Sequence, residues 1–400
     1  MDSSKFTDEC PGILVRAALP HSKCAFVPDS LPDTWEVPLS LWPLLVEARE
    51  AIARLDGIGR HMPNHSLLLR PLQQREALRS SSMEGTYATP EELLLFQVEP
   101  KEPQSHSDKV NEWKEVANYG RALATGQQLL DQGFTLSRAL IRALHNELMN
   151  GVRGQNKQPG QFRKVQVQVG HDARFVPPPP EHVDSCLQDL AEFMSQHDAI
   201  DPLIKAFMVH YQFETIHPFT DGNGRVGRLL LSLQIYRSMS LSNPWLYMSA
   251  FFERFKDEYV DGLFGVTSRN AWEKWLAFCL RGAKAQADDA MRRFEELVAL
   301  KEDFRQRAGG EQGGSARLHS IIDSLFDTPV VTVPSLEAQY NVSYPTAKSD
   351  AERLVSLGIL TRGPKTMRPR PYFSDPILRV AYNEDQSNGS TVQNDSVDDG

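Results

Sequence analysis

Cysteine is scarce. The chain has four in 400 residues (Cys10, Cys24, Cys186 and Cys279), and no two make a CxxC pair or a Cys/His metal spacing. A disulfide scaffold and a zinc ribbon are therefore excluded, and reduced thiols in a cytoplasm are expected. Long apolar runs are also missing. No stretch is long enough to span a bilayer, and the first residues lack the apolar centre of a secretion signal, so no membrane partner is expected. Positive charge is not in excess either. A net charge of -9 argues against a protein that coats nucleic acid or an anionic membrane over its whole surface. What remains is ample chain for a real core and for two or three domains.

Against that background one stretch stands out, His217 to Arg228, reading HPFTDGNGRVGR. An apolar helical pattern precedes it (Ile204, Phe207, Met208, Tyr211) and another follows it (Val226, Leu229, Leu230, Leu233). The stretch is thus predicted to be a loop that ends on a helix N-terminus. Pro218 disfavours the α conformation at His217 and puts the histidine at the exit of the first helix. Gly222, Asn223 and Gly224 can turn backbone N–H groups inward as an anion nest, reinforced by the helix dipole. Arg225 and Arg228, three apart, can both reach one anion. Asp221 offers a hard oxygen ligand for a Mg2+ carried by a polyphosphate. These parts describe a phosphoryl or nucleotidyl transfer site.

The loop resembles the signature HPFx[D/E]GNGRxxR of the Fic family, whose best-known members move AMP from ATP onto protein hydroxyls. Every fixed position is met. The resemblance implies His217 as general base, Asp221 as the Mg2+ ligand, and an ATP site formed by His217, Gly222, Asn223, Gly224, Arg225, Val226, Gly227 and Arg228. Phe219 would point into the core and pin the loop.

Upstream, Ser80 and Glu84, followed by Gly85, match the family's inhibitory pattern [S/T]xxxE[G/N]. The i, i+4 spacing puts both side chains on one helix face. The resemblance implies that Glu84 pairs with Arg228 and denies it to the γ-phosphate. Where related proteins carry an asparagine and paired tyrosines, this chain has Phe255 and Tyr259-Val260, so the base pocket departs from the family pattern.

The rest of the chain is predicted mainly α. Residues 1–33 have no clear period and read as a surface arm. A helical domain follows over 34–108, with Gly57 able to stop its first helix. The core, 109–307, resembles a Fic helical bundle. Its helices lie near 109–131 and 135–150, and His145 sits in the second stripe as a packed core residue. Val165, Val167 and Val169 alternate with polar residues as a half-buried strand. With a turn at Gly170-His171-Asp172, residues 163–176 read as a β-hairpin resembling the Fic flap, which docks the target by strand addition. Residues 308–315 are a flexible linker. Residues 316–382 fit a helix-turn-helix with a wing carrying Arg362, Lys365, Arg368 and Arg370, similar to a winged helix that contacts DNA or protein. Residues 383–400 read as a disordered acidic tail.

The expected function is protein adenylylation with ATP and Mg2+, on Ser, Thr or Tyr hydroxyls of a target protein, restrained by Glu84. Removal of AMP, or transfer of another nucleotide or of a phosphoryl group, are alternatives within enzymes. A DNA-binding regulator whose core only senses nucleotide is the alternative of another class. A homodimer is left open.

Overall fold

The computed structural model describes residues 1–19, 22–61, 66–105, 107–152, 158–170, 174–196, 199–309 and 316–383. The chain forms two compact units, Met1–Glu295 and Glu296–Gly400.

The first unit opens on an antiparallel pair, β1 (Gly12–Leu19) and β2 (Ser22–Pro28), where the sequence, having no clear period, is read as a surface arm. The reason lies outside the segment. Phe26 N donates to Val176 O at 2.9 Å, and Ala25 and Val176 are both fully buried together, so distant residues supply the order that no local period encodes. Among the described residues helices then follow without an intervening sheet: α1 (Trp42–His61), α2 (Ser66–Met83), α3 (Pro90–Val98), α4 (Val110–Asp131), α5 (Arg138–Leu148), α6 (Pro180–Ser195), α7 (Pro202–Ile216), α8 (Asn223–Ser238), α9 (Ser249–Arg254), α10 (Lys256–Arg269) and α11 (Trp272–Gly309). Gly57 does not end α1, which runs to His61. Gly59 lies against the Trp245 indole, where a β-carbon would collide, so glycine here serves close packing.

Helices α7 and α8 form the centre. Asp201 caps α7, its Oδ1 accepting from Leu203 N at 2.9 Å, and Pro202 occupies the first turn. Thirteen residues of α7 are buried, including Lys205 and His210, so the helix is wrapped on all sides. His210 Nδ1–H donates to Gly227 O (3.3 Å) and Nε2 accepts from Tyr259 OH (3.0 Å), which satisfies an imidazole held neutral by burial, its pKa lowered to about 3.

The alternating valines do not form the expected strand. Among the described residues the segment makes one isolated bridge, Val169 to Phe175, and Val165 is 55% exposed. Side chains satisfy the carbonyls that a partner strand would otherwise take. Arg163 Nη1 donates to Val165 O (3.1 Å), and Gln166 Nε2 donates to Val167 O (3.1 Å) and Pro177 O (2.8 Å). The expected turn at His171-Asp172 lies outside the described residues.

The second unit contains α12 (Ala316–Leu325), β3 (Val330–Thr332), α13 (Val333–Tyr340), α14 (Tyr344–Ser356), β4 (Thr361–Arg362), β5 (Pro371–Phe373) and α15 (Asp375–Tyr382). Its strands form one sheet in the order β3-β5-β4. Thr332 and Ser335 make a reciprocal capping box at α13. The boundary between the units falls within α11, and that helix continues to Gly309. Residues 310–315 of the expected linker and 384–400 of the expected tail lie outside the described residues.

Candidate active site

The loop begins where α7 stops. His217 is the C-cap, left-handed at φ 50°, ψ 61°, with its N–H on Phe213 O at 3.0 Å. That conformation is uncommon for a residue with a β-carbon and satisfies the bias away from α imposed by Pro218. Phe219 turns inward, fully buried, and its ring stacks on His145 at 3.7 Å. Asn223 closes the loop on itself: Oδ1 accepts from Phe219 N (2.8 Å) and Nδ2 donates to Phe219 O (2.9 Å). Gly222, at φ 77°, then starts α8.

His145 is core, as expected, and also a strut. Its Nδ1 accepts from Gly160 N at 2.8 Å, so Nε2 carries the hydrogen and donates to Asp221 O at 3.2 Å. Burial lowers its pKa to about 4 and keeps this neutral tautomer.

The two arginines, predicted to share an anion, are turned to different partners. Arg228 is 2% exposed; its Nε donates to Ser80 Oγ (2.8 Å) and Nη2 to Ser80 O (2.8 Å) and Glu84 Oε1 (2.7 Å). Arg225 lies 3.4 Å from Glu115 Oε2 and 3.9 Å from Asp221 Oδ1. The Glu84 carboxylate sits so close over Gly224 that a β-carbon there would strike it. It thus occupies the N-terminus of α8, where N–H groups and dipole favour an anion. Burial acts to raise the Glu84 pKa, but the Arg228 charge and hydrogen bond outweigh it and hold the carboxyl below its ordinary value. Helix α2 carries Glu84 one residue past its last turn, before left-handed Gly85. The helix is anchored on α9 by Glu253, which takes Arg79 and Ser82, and by Glu76, which accepts from Ser249 N at 3.2 Å.

The buried Nδ1 of His217 makes no hydrogen bond among the described residues. Burial first, then the Arg163 charge, lower the imidazole pKa to about 4. A neutral imidazole at neutral pH can accept a proton.

Two residues that sequence reasoning passed over complete the site. Arg163, 4% exposed, holds the histidine's backbone. Its N–H donates to Pro218 O (2.8 Å), Nε to His217 O (2.8 Å), and Nη2 to Pro178 O (2.6 Å) and Ile216 O (3.3 Å). Burial lowers its pKa to about 10. Glu214, one helical turn before His217, has a buried Oε1 without a hydrogen bond, pressed against Gly227. Burial raises its pKa to about 7. Neither belongs to a local motif.

Phe255 is 39% exposed under the Arg254 guanidinium, whereas Tyr259 is buried on His210. Only the first is therefore open to a ligand. No group of three or more His, Cys, Asp or Glu among the described residues could hold a metal ion. No helix among them is long and apolar enough to cross a membrane.

Bundle and loop together define a helical protein organised around an anion seat, with a histidine at the start of the loop that carries it. The chain is a Fic-domain protein: residues 42–128 match the Fic/DOC family N-terminal model and residues 135–235 the Fic/DOC family model. It is 43% identical over 83 residues to protein adenylyltransferase fic-1 of Caenorhabditis elegans, covering 20% of this chain and 16% of that one. It is 34% identical over 120 residues to a probable protein adenylyltransferase of Aquifex aeolicus, covering 29% and 36%. The chain thus spans well under half the length of these relatives. A Fic family protein from Desulfovibrio desulfuricans G20 has the same fold over 85% of this chain and 97% of its own, with TM-score 0.55 and 20% identity.

Proposed function

We propose that this chain is a protein adenylyltransferase, restrained by Glu84 in the arrangement described above. The observation that carries the proposal is the seat of the Glu84 carboxylate, on Arg228 and over Gly224 at the start of α8. A position that holds a carboxylate this way suits a phosphate equally, and His217 opens the loop that leads to it. The relatives named protein adenylyltransferase support the same reading.

ATP binds with its phosphates along Gly222–Gly224 and its outer phosphates on Arg225 and Arg228. His217 takes the proton of a target Ser, Thr or Tyr hydroxyl, and that oxygen attacks the α-phosphorus. The bond from the α-phosphorus to the pyrophosphate oxygen breaks in line, giving an AMP ester and pyrophosphate. Base catalysis of this kind contributes roughly 10²–10⁴-fold. Asp221 is a single carboxylate, with Oδ1 on Gly222 N at 2.7 Å. One carboxylate fits Mg2+ that arrives with a polyphosphate better than a resident metal site. When bound, that ion neutralises phosphate charge. The four free thiols agree with a cytoplasmic location.

For the second unit we infer a winged helix from the succession α13, α14, β4, β5 with β5 paired to β3. Arg362 is neutralised by Glu352, so contact with duplex DNA would rest on the exposed Lys365 and Arg368.

Incubation of the protein and a cell lysate with ATP labelled at the α- or the γ-position tests the activity. Label transferred from the α-position alone is expected; transfer of the γ-label would mean phosphoryl transfer instead.

A further inference from the structure

Beside the segment 161–164, which packs on the loop, lies a groove of about 470 Å3, lined among others by Arg138, Arg142, Phe162, Lys164 and Asp184. Its charge runs against that of the protein, three cations to one acid in a chain of net charge -9. The two guanidinium groups lie over the Phe162 ring, at 5.7 Å for Arg138 and 5.9 Å for Arg142. Stacking of this kind fixes the plane of an arginine fork before any ligand arrives.

The cations are not equally engaged. Arg138 is taken by Asp184 and by Gln188 Oε1 at 3.1 Å. Arg142 Nε donates to Gly160 O at 2.7 Å, and its terminal nitrogens make no hydrogen bond among the described residues. Lys164 is exposed and makes no hydrogen bond or ion pair among them. Two cations are therefore available to an incoming anion.

The groove is joined to the histidine by chain geometry. Phe162 and Lys164 line it, while Arg163 between them turns inward onto His217 O at 2.8 Å. Phe162 packs on Phe219 of the loop at 5.4 Å. An extended segment that ran along 162–165 would present one side chain towards the base and its neighbours to the cations, since successive side chains alternate in extended chain. Val165, 55% exposed, gives such a segment an apolar contact.

We propose that this groove recognises the target protein through an acidic side chain, Asp or Glu, close in sequence to the hydroxyl that is modified. The proposal rests on the adenylyltransferase reading for the identity of the partner, and not for the docking itself. The carboxylate sits between the terminal nitrogens of Arg142 and the ammonium of Lys164, which gives orientation and steering.

The test is a binding measurement without nucleotide, on the whole 400-residue chain carrying His217→Ala. Two short fluorescent peptides are compared by anisotropy at low and moderate salt: one carries a threonine flanked by glutamates, the other the same threonine flanked by lysines. The glutamate peptide is expected to bind at least about tenfold more tightly, and to weaken with salt as a screened ionic contact does. Lys164→Glu, which breaks no hydrogen bond or ion pair among the described residues, should remove most of that preference, and adding Arg142→Glu should invert it. The pair Lys164→Arg and Arg142→Lys should keep it. Equal affinity for the two peptides, no measurable binding of either, or an unchanged preference in Lys164→Glu overturns the proposal. The labelled-ATP assay reads the activity separately, so failure of one does not count against the other.

Discussion

The carboxylate of Glu84 and the guanidinium of Arg228 are 144 residues apart in sequence and 2.7 Å apart in space. The same carboxylate covers Gly224, so one side chain occupies both the cation and the helix end that a phosphate would use. Four expectations follow from this arrangement and its supports.

Replacing Glu84 by glycine should raise self-labelling from ATP at least about tenfold, because misplacement of about 1 Å at a reacting centre can cost ~10² in rate. The fold should change little, since α2 stays anchored through Glu253 and Glu76. In an Arg228→Ala background the same change should give nothing, there being no arginine to release. Unchanged labelling in Glu84→Gly would falsify the restraint.

His217→Ala should keep ATP binding, because the phosphate contacts begin at Asp221, while transfer falls by at least ~10². Calorimetry of nucleotide binding beside a transfer assay separates the two. Transfer at the wild-type rate would assign the base elsewhere.

Arg163 touches no phosphate contact but grips the carbonyls of Ile216 and His217. Arg163→Met, in the Glu84→Gly background, should lower the transfer rate by ~10² and leave ATP affinity near its starting value. Arg163→Lys should recover only part, since an ammonium lacks the planar fork that reaches four carbonyls. Full recovery by lysine would reduce the role to that of a point charge.

Glu214 concerns stability. Its carboxyl, at 4.5 in ordinary surroundings, is raised to about 7 by burial. Below pH 4.5 both folded and unfolded chains hold the proton, and the contribution to stability is complete. As pH rises from 4.5 to about 7 the unfolded chain ionises first, so that stability is lost across this window and levels off above it. Glu214→Gln lacks the slope. Its melting temperature relative to the parent should therefore be higher by a few degrees at pH 8 than at pH 5, by scanning fluorimetry. A difference independent of pH would mean the carboxyl is not buried as described.

The loop was legible because its information is local: a proline after a histidine, glycines where the chain turns, and charges at fixed offsets. Glu84 was legible only through its motif. Much of the helical order can also be read, whereas α3 is announced only by its cap of Thr89, Pro90 and Glu92. What stayed hidden depends on partners distant in sequence. Strand β2 is held by Val176, 150 residues on, and Arg163 by carbonyls of α7. The valine alternation misled because periodicity reports a face to be covered and cannot report that Gln166 and Arg163 take the carbonyls instead.

Since Glu84 belongs to the same chain as the seat it fills, in the proposed reading it is a tethered competitor of the nucleotide. Its effective concentration is set by the geometry of α2 and not by the concentration of the protein. Dilution of the protein cannot weaken it, and crowding of the cell with copies of the protein cannot strengthen it. More ATP shifts the balance only in proportion, against a rival that never diffuses away. Release must then come as movement, through the last turn of α2 or through α9, where Glu253 holds Arg79 and Ser82. A ligand or partner that pulled on Glu253 would govern the proposed transfer from outside the seat that Glu84 fills.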